Sequence, residues 1–292
     1  MTGLLAGLVD DAGLFPPEQL PMGAALARHR ADEAAGHPML SHRFLCPASR
    51  LAELRADPAL QGWPGGPPAR PADRGAGGRL RLGLILDTGL GGLEAAVAEV
   101  AAEAKVVLEL LEVPAPSAEN VAAALDALAG IDVAAYIEGP REPAWVKTVG
   151  AWAGPGGLRG AKVRCGGARA ELFPSPEELA AFVCACADTA VNFKATAGLH
   201  GAVRHRDEAT GFVHHGYLNL VLGTARAAAR ASPGEVAEVL ASTDEAALVA
   251  ELRAVSARVA LLTRALFRAY GSCSTSEPVQ EAAALGLLTA GA

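Results

Sequence analysis

Short apolar runs alternate with longer, Ala-rich amphipathic stretches along the whole chain. Apolar runs of this length, bounded by Gly, Pro or Asp, are typical of strands that are buried on both faces. Eight runs fit this description, at 5–13, 38–46, 79–88, 105–113, 133–139, 159–166, 191–198 and 267–274. Helical patterns lie between most of them, at 17–34, 91–104, 117–130, 142–153 and 175–189.

Strands that alternate with helices of 10 to 15 residues predict βαβ units and a parallel sheet. Eight such units favour a closed barrel over an open sheet, and a barrel of this length is ordinarily one domain. No GxGxxG motif follows the first strand, so nothing indicates a dinucleotide-binding fold. The sequence therefore predicts a single-domain (β/α)8 TIM-like barrel over residues 1–292.

Two segments depart from the alternation. Residues 61–78 are rich in Pro and Gly and predict a mobile loop. Residues 216–270 predict a helical elaboration between strands 7 and 8. Its second helix spans 27 residues, 244–270, and could form a dimer interface. We therefore expect a homo-oligomer.

Composition narrows the class of partner. The net charge of −7 argues against a nucleic-acid-binding protein, because no excess of cations is available to neutralise phosphates. No uncharged apolar run is long enough to cross a membrane, and the first residues lack the basic region of a signal peptide. The five cysteines are an odd number at irregular spacing, which predicts free core thiols. These observations together predict a soluble cytoplasmic protein.

Polar residues stand at nearly every predicted strand end, where a barrel places its active site. In strand 6, Lys162 and Arg164 share one face of the strand. In strand 7, Asn192, Lys194 and Thr196 do the same, and the opposite faces are apolar. We expect these polar faces to look into the barrel around one cavity, with Arg164, Asn192 and Thr196 contacting substrate. The alternative is a packed lumen in which the cations pair with Glu138 or Glu112.

Two neighbouring lysines suggest amine chemistry. A nearby cation lowers the pKa of a lysine, and the neutral amine can then attack a carbonyl carbon. Lys194 with Lys162 therefore fits a lysine that forms an imine and a partner that perturbs its pKa. The surrounding loop favours Lys194 as the imine-forming residue.

The motifs "KVRCGG" (162–167) and "FKATAGL" (193–199) resemble the paired-lysine strands of class I aldolases of the deoxyribose-phosphate type. By this resemblance Lys162 on strand 6 would form the imine and Lys194 on strand 7 would perturb it. The resemblance also implies a TIM barrel and lyase activity. The chain as a whole further resembles bacterial barrel proteins of unassigned activity, which adds nothing to the mechanism.

Four of the seven histidines fall within residues 200–215. His200 is a candidate acid or base, and Arg204, His205 and His215 are candidate substrate contacts. With Asp207 and Glu208 this loop could instead bind a divalent metal ion, although its spacing matches no standard metal motif. A plainly solvated loop is the third possibility.

Carboxylates and hydroxyls complete the candidate site. Asp10 and Asp11 point to opposite faces of strand 1, so only one can enter the barrel, and Asp11 is the candidate catalytic acid or base. Glu138 is a second candidate at the end of strand 5. Ser272 and Ser274 could cradle an anion after strand 8 or simply cap the last helix.

The sequence thus predicts an enzyme that acts on a small anionic carbonyl metabolite as a carbon–carbon lyase or isomerase. It predicts no cofactor and leaves a divalent metal ion open as an alternative. Two alternatives remain open: a metal-dependent hydrolase or lyase that uses the His200–His215 loop, and a non-catalytic metabolite-binding barrel. The candidate catalytic residues are Lys162, Lys194, Asp11, Glu138 and His200.

Overall fold

A computed structural model describes residues 2–65, 78–141, 149 and 157–288. Eight parallel strands close into a barrel in which neighbours along the chain are neighbours in the sheet, so the predicted (β/α)8 fold is confirmed. The barrel strands are β1 (Val9–Asp11), β2 (Leu40–Pro47), β3 (Leu80–Ile85), β4 (Val106–Pro114), β5 (Ala134–Glu138), β6 (Arg159–Arg164), β7 (Phe193–Thr196) and β10 (Phe267–Ser272). A two-stranded antiparallel hairpin, β8 (His205–Arg206) with β9 (Val213–His214), lies between β7 and β10.

The described helices follow the predicted order. They are α1 (Thr2–Leu5), α2 (Met22–Ala35), α3 (Leu51–Ala56), α4 (Leu93–Ala101), α5 (Ala118–Leu128), α6 (Pro176–Thr189), α7 (Tyr217–Ala228), α8 (Pro233–Ala241), α9 (Glu245–Ala254), α10 (Ala257–Leu266) and α11 (Ser276–Ala284). The predicted helix at 142–153 falls outside the described residues apart from Val149, and so does most of the predicted loop at 61–78. None of the described helices has the length and apolarity that crossing a membrane requires.

The elaboration between β7 and β10 consists of four helices, α7 to α10, and the predicted 27-residue helix is wrong. Its sequence forms α9 and α10, each of ten residues, followed by the start of β10. The break falls at Val255, whose backbone is extended, and the Ser256 side chain then accepts a hydrogen bond from the Val259 amide. A serine that caps a new helix competes with helix continuation, which explains the break.

The main core lies between the outer faces of the strands and the surrounding helices. Phe193 on β7 contacts the edge of Phe182 on α6 and stacks on Phe267 of β10, with ring centroids 5.4 and 5.0 Å apart. The next residue, Lys194, points the opposite way, as strand alternation requires. All five cysteines are free, as predicted, and all but Cys184 are buried.

A β-bulge in β4 brings two glutamates onto the same face. Glu109 and Glu112 are three positions apart, and regular alternation would place them on opposite faces. The pairing with β3 shifts here, because Leu82 pairs with Leu108 whereas the next residue, Gly83, pairs with Leu110. The extra residue, Glu109, allows both carboxylates to reach the barrel interior.

Gly160 on β6 permits close packing at the amino-terminal end of the barrel. A Cβ atom there would lie 2.6 to 2.8 Å from the Asn192 Oδ1 and carbonyl oxygen and the Tyr136 ring. We expect Gly160→Ala to lower the free energy of unfolding by about 1–3 kcal/mol, because the backbone must move.

The matched control is Gly91→Ala, where a Cβ would meet no atom within 4 Å. We expect this control to stay within about 0.5 kcal/mol of the parent protein in urea unfolding. Equal effects of the two substitutions would contradict the packing described at Gly160.

Candidate active site

Nine charged side chains form a continuous series of ion pairs through the barrel, and their signs alternate strictly. We call this series the interior charge chain. In order it consists of Arg81, Glu109, Arg43, Asp10, Lys194, Glu112, Lys162, Glu138 and Arg164. Seven of the eight barrel strands contribute to it, and it runs from near the amino-terminal end of β3 to the carboxyl end of β6.

The first part of the charge chain fills the amino-terminal end of the lumen. Arg81 and Arg43 share Glu109, with Nε–Oε distances of 2.5 and 3.2 Å. Arg43 Nη1 then lies 2.6 Å from Asp10 Oδ1, which also accepts a hydrogen bond from the Ser41 hydroxyl. Asp10 is fully buried, so these partners offset the cost of removing its charge from water.

The centre of the charge chain crosses the barrel. Lys194 Nζ on β7 contacts Asp10 on β1 and lies 2.7 Å from Glu112 Oε1 on β4. Since two strands separate β7 from β4 and one separates it from β1, both contacts must pass through the lumen. Lys162 Nζ on β6 lies 2.6 Å from Glu112 Oε2, so one carboxylate binds both ammonium groups. Lys194, Glu112 and Lys162 are only 0, 1 and 4 % exposed, and the centre is therefore closed to bulk water.

The last part of the charge chain reaches solvent at the mouth. Lys162 Nζ lies 2.9 Å from Glu138 Oε2, and Arg164 Nε lies 2.8 Å from Glu138 Oε1. Glu138 and Arg164 are the last residues of β5 and β6. The Arg164 side chain is 42 % exposed, so this end of the series is accessible to a ligand.

The prediction that Lys162 and Lys194 converge inside the barrel is confirmed. They are register partners on adjacent strands, and Arg164 pairs with Thr196 one step closer to the mouth. The space around the lysines is packed, however, and their partners are Glu112 and Glu138. The alternative of cations paired with Glu112 and Glu138 in a packed lumen therefore describes this arrangement.

The pKa values follow from this pairing. Burial raises the pKa of Glu112, but the two lysine ammonium groups outweigh it and bring the pKa down to about 2. Burial lowers the pKa of Lys162, and Glu112 and Glu138 outweigh it, so the net shift is upward. The expectation that a neighbouring cation lowers this lysine's pKa is wrong for Lys162 in the ligand-free protein. The carboxylate between the two lysines compensates both charges.

Five cations and four carboxylates leave the interior charge chain with a net charge of +1. The interior members have partners on both sides, whereas Arg164, at the mouth, has Glu138 as its ion-pair partner among the described residues. An anion at Arg164 would extend the alternation by one group. The electrostatics of the mouth therefore favour a negatively charged ligand.

Asp11 does not enter the barrel. Its carboxylate contacts α2, with Oδ1 2.5 Å from Arg28 Nη2 and Oδ2 3.0 Å from His29 Nδ1, and it accepts a hydrogen bond from the Gly13 amide. The expectation that one of the two aspartates lies inside is confirmed, but that residue is Asp10. The choice of Asp11 as the interior carboxylate is therefore wrong.

The remaining strand-end candidates occupy different places. Asn192 precedes β7, at the opposite end of the strand from the mouth, and donates a hydrogen bond to the Gly157 carbonyl oxygen. The prediction that it lines the same cavity as Arg164 is therefore wrong. Thr196 is the last residue of β7 and lies at the mouth. Ser272 donates a hydrogen bond to the Ser274 carbonyl, and Ser274 accepts one from the Glu277 amide at the start of α11, which matches the helix-cap alternative.

The histidine loop forms a separate cluster. The His214 ring lies 5.7 and 5.5 Å from the rings of His200 and His205, and His200 Nδ1 is 3.9 Å from Cys273 Sγ. His215 is fully buried and contacts Arg204. Over the described segments, no hydrogen bond, ion pair or ring contact joins these histidines to the interior charge chain. In the same segments, no three His, Cys, Asp or Glu side chains are arranged so that they could hold a metal ion.

Sequence reasoning missed Arg81 and did not select Asp10, Arg43 or Glu109 for the site. The available signal was strand alternation. In "RLRLG", Arg81 lies between leucines that are fully buried, so it must point to the other face of β3. An arginine on the inner face of a buried strand requires a carboxylate partner, which here is Glu109.

We expect Glu112→Gln to destabilise the fold by about 3–5 kcal/mol at pH 7, because two buried ammonium groups lose the charge that they share. The folded-state pKa of about 2 lies below the ordinary value of 4.5, so this carboxylate stabilises the fold fully above pH 4.5. The difference between parent and variant should shrink as the pH falls from 4.5 to 2, measured by urea unfolding.

The matched control is Asp188→Asn, whose ion pair with Arg230 is about 70 % exposed on both sides. This control should change stability by less than about 1 kcal/mol. A Glu112→Gln variant as stable as the control at pH 7 would contradict the role of the shared carboxylate.

Comparisons with protein-family models, with curated proteins and with solved structures give no match. The resemblance to class I aldolases stays a prediction, and the candidate site is defined by its own geometry.

Proposed function

We propose that the barrel mouth is the active site of an enzyme that forms an imine between Lys162 and a small anionic carbonyl compound. The reaction class is carbon–carbon lyase or isomerase. The main support for this proposal is the position of Lys162. It lies two residues before the exposed Arg164, on the same face of β6, and Arg164 ends the interior charge chain, whose net charge is +1. A substrate whose anionic group binds Arg164 brings its carbonyl carbon towards Lys162.

Burial favours Lys162 over Lys194 as the amine that reacts. Lys162 is 4 % exposed and pairs with Glu138 at the end of β5. Lys194 is 0 % exposed, and its ion-pair partners in the described part of the chain are the deeper carboxylates of Asp10 and Glu112. A ligand that enters from the mouth reaches Lys162 first, which agrees with the assignment implied by the aldolase resemblance.

Glu138 is the base in this proposal. Burial raises the pKa of Glu138, and Lys162 and Arg164 lower it further than burial raises it. A substrate anion that binds Arg164 weakens its pairing with Glu138, so the pKa of Glu138 rises. Glu138 Oε2, 2.9 Å from Lys162 Nζ, then accepts the proton that makes the amine neutral.

The neutral Lys162 amine adds to the carbonyl carbon and gives a carbinolamine, with one amine proton moving to the oxygen. Protonated Glu138 returns its proton to that oxygen, and water leaves to give the iminium ion. Glu138, again a carboxylate, then removes a proton from the substrate. When a C–H bond breaks, the proton comes from the carbon next to the iminium; when a C–C bond breaks, it comes from the hydroxyl group of the departing fragment, which leaves as a carbonyl compound. In both cases the electron pair of the broken bond forms the C=C bond of an enamine, and the C=N π pair moves to the nitrogen. Glu112 stays ionised between the two lysine side chains and stabilises the positive charge of the iminium.

Two alternatives to this proposal predict different behaviour. A metal-dependent hydrolase or lyase would need the His200–His215 loop to gather ligands. In the described residues the His214 ring instead stacks on His205 and meets His200 edge to face, and no group of three potential ligands is present. A non-catalytic binding barrel would bind the same anions at Arg164 without forming an adduct on Lys162. Covalent trapping separates both from the imine mechanism.

Borohydride reduction in the presence of short keto acids and phosphorylated aldehydes should attach the substrate carbon skeleton to Lys162, as read by peptide mass spectrometry. Lys162→Arg should abolish the adduct, whereas the control Lys105→Arg, a half-buried lysine whose ammonium group donates hydrogen bonds to Gln61, should leave it unchanged. Arg164→Gln should raise the half-saturating concentration of the anionic carbonyl compound at least about tenfold, because a charge-assisted contact is lost. No adduct with any member of the panel, or an adduct that persists in Lys162→Arg, would contradict the proposal.

The pH dependence of trapping tests the role of Glu138. With a neutral aldehyde, the trapping rate should keep rising up to pH 10, because the raised pKa of Lys162 leaves the neutral amine scarce at lower pH. With an anionic aldehyde, the trapping rate should level off at a lower pH. The anionic group weakens the pairing of Arg164 with Glu138, and Glu138 can then accept the proton of Lys162. Identical pH profiles for the two aldehydes would rule out this form of substrate-assisted deprotonation.

The expected homo-oligomer remains a proposal. Leu261 and Leu262 on α10 are 74 and 42 % exposed, and exposed leucines side by side favour an apolar contact with a second copy. Sedimentation velocity of the parent protein and of Leu261→Glu tests it. Monomers at every concentration in both proteins would contradict it.

A further inference from the structure

A cleft of about 370 Å³ lies between the loop that joins β6 to α6 and the β8–β9 hairpin. This volume is typical of sites for small molecules. Its lining is mostly apolar, with Ala170, Phe173, Pro174, Pro176, Phe212 and Val213, and its polar side chains are Ser175, Glu178 and Arg204. The rings of Phe173 and Phe212 are half-buried, with centroids 5.3 Å apart and planes inclined by 52°.

Arg204 is a cation for which the described residues provide no carboxylate partner. Burial lowers its pKa, and Glu177 opposes this shift only weakly, without an ion pair between them. Glu178 also lines the cleft, but its carboxylate accepts the Ser175 amide at 2.7 Å and lies 3.7 Å from Arg141. Within the described parts of the chain, Arg204 forms no ion pair, so its charge is available to a ligand.

His215 holds Arg204 in position. The His215 ring is fully buried, with Nε2 2.7 Å from the Pro174 carbonyl oxygen and Nδ1 3.1 Å from Arg204 Nη1. Since a carbonyl oxygen accepts only, Nε2 carries the proton and Nδ1 accepts from Arg204. Burial lowers the pKa of His215 to about 4, so the ring is neutral at pH 7. A neutral ring orients the guanidinium without competing for an anion.

We propose that this cleft is a second ligand site, which binds a small organic carboxylate with an aromatic ring. The carboxylate pairs with the guanidinium of Arg204, and the ring lies against Phe173 and Phe212. A half-buried arginine that forms no ion pair among the described residues supplies the charge complementarity, and the two aromatic side chains select a flat apolar body. Such a ligand supplies the anion that Arg204 lacks within the described residues.

This site is independent of the proposed imine chemistry. Arg204 and His215 have no contact with the interior charge chain among the described residues. Binding in the cleft should therefore survive Lys162→Arg, and a failure of either proposal leaves the other standing.

Isothermal titration calorimetry with phenylacetate tests the proposal. We expect one site per chain, with at least about tenfold weaker binding of phenylacetamide, which lacks the charge, and of acetate, which lacks the ring. Arg204→Gln should weaken phenylacetate binding at least about tenfold, and Phe212→Leu should weaken it severalfold with the charge intact. The control is Arg169→Gln in the same loop, whose 70 % exposed side chain pairs with Glu171, and it should bind as the parent does.

Three results would overturn the proposal: no phenylacetate binding to the parent protein, equal binding to a folded Arg204→Gln variant, or tighter binding of inorganic phosphate than of phenylacetate. The pH profile adds an independent readout. Burial lowers the pKa values of His214 and His215, and the charged groups around the cleft among the described residues also include Glu177, Glu178 and Arg141, so binding should be flat from pH 5.5 to 8. A tenfold loss of affinity over this range would assign the anion contact to a protonated histidine and contradict the role of Arg204.

Discussion

The carboxylate of Glu112, bonded to the ammonium groups of both Lys162 and Lys194, is the interaction on which the interior of this barrel depends. Removing three ions from water is costly, and their mutual attraction offsets that cost only when each charge meets its opposite. The requirement extends outwards from Glu112 in both directions. Lys194 needs Asp10, Asp10 needs Arg43, and the series ends only where side chains reach solvent. Strict alternation of sign is thus a condition for burying so many charges, and it ties seven strands together.

The same requirement for paired charges confines the proposed chemistry to the mouth end of the interior charge chain. Interior members of the charge chain are compensated on both sides and held still, which suits positioning and electrostatic stabilisation. At the mouth, Arg164 and Glu138 are the members whose pairing an incoming anion can change. In this mechanism Lys162 stays an unreactive ammonium ion until an anionic substrate binds and Glu138 accepts its proton. Carbonyl compounds without an anionic group would therefore not react with it. In the proposed mechanism, selectivity for anionic substrates follows from the order of the charges.

Most of the correct predictions came from two features of the sequence: the alternation of polar and apolar residues within the strands, and the number of strands. They gave the barrel, its eight strands and the inward direction of Lys162, Arg164 and Lys194, because a strand buried on both faces must separate polar from apolar residues. Four features escaped that reasoning. The bulge at Glu109 breaks the alternation on which the argument rests, and Ser256 divides a continuous helical pattern without a Gly or Pro. The choice between Asp10 and Asp11 depends on the register of β1, a strand of three residues, which periodicity cannot fix. The pKa of Lys162 depended on partners from other strands, which no local pattern reveals.

The most direct test of this account is an NMR titration of the lysine side chains in protein labelled with ¹³C at lysine Cε. The chain has four lysines, so single Lys→Arg substitutions assign each signal. The account predicts that Lys162 in the ligand-free protein titrates above the ordinary lysine value of 10.5, because Glu112 and Glu138 hold its proton. A Lys162 signal that titrates below that value would contradict the paired, charge-compensated interior from which both the fold and the proposed mechanism are argued.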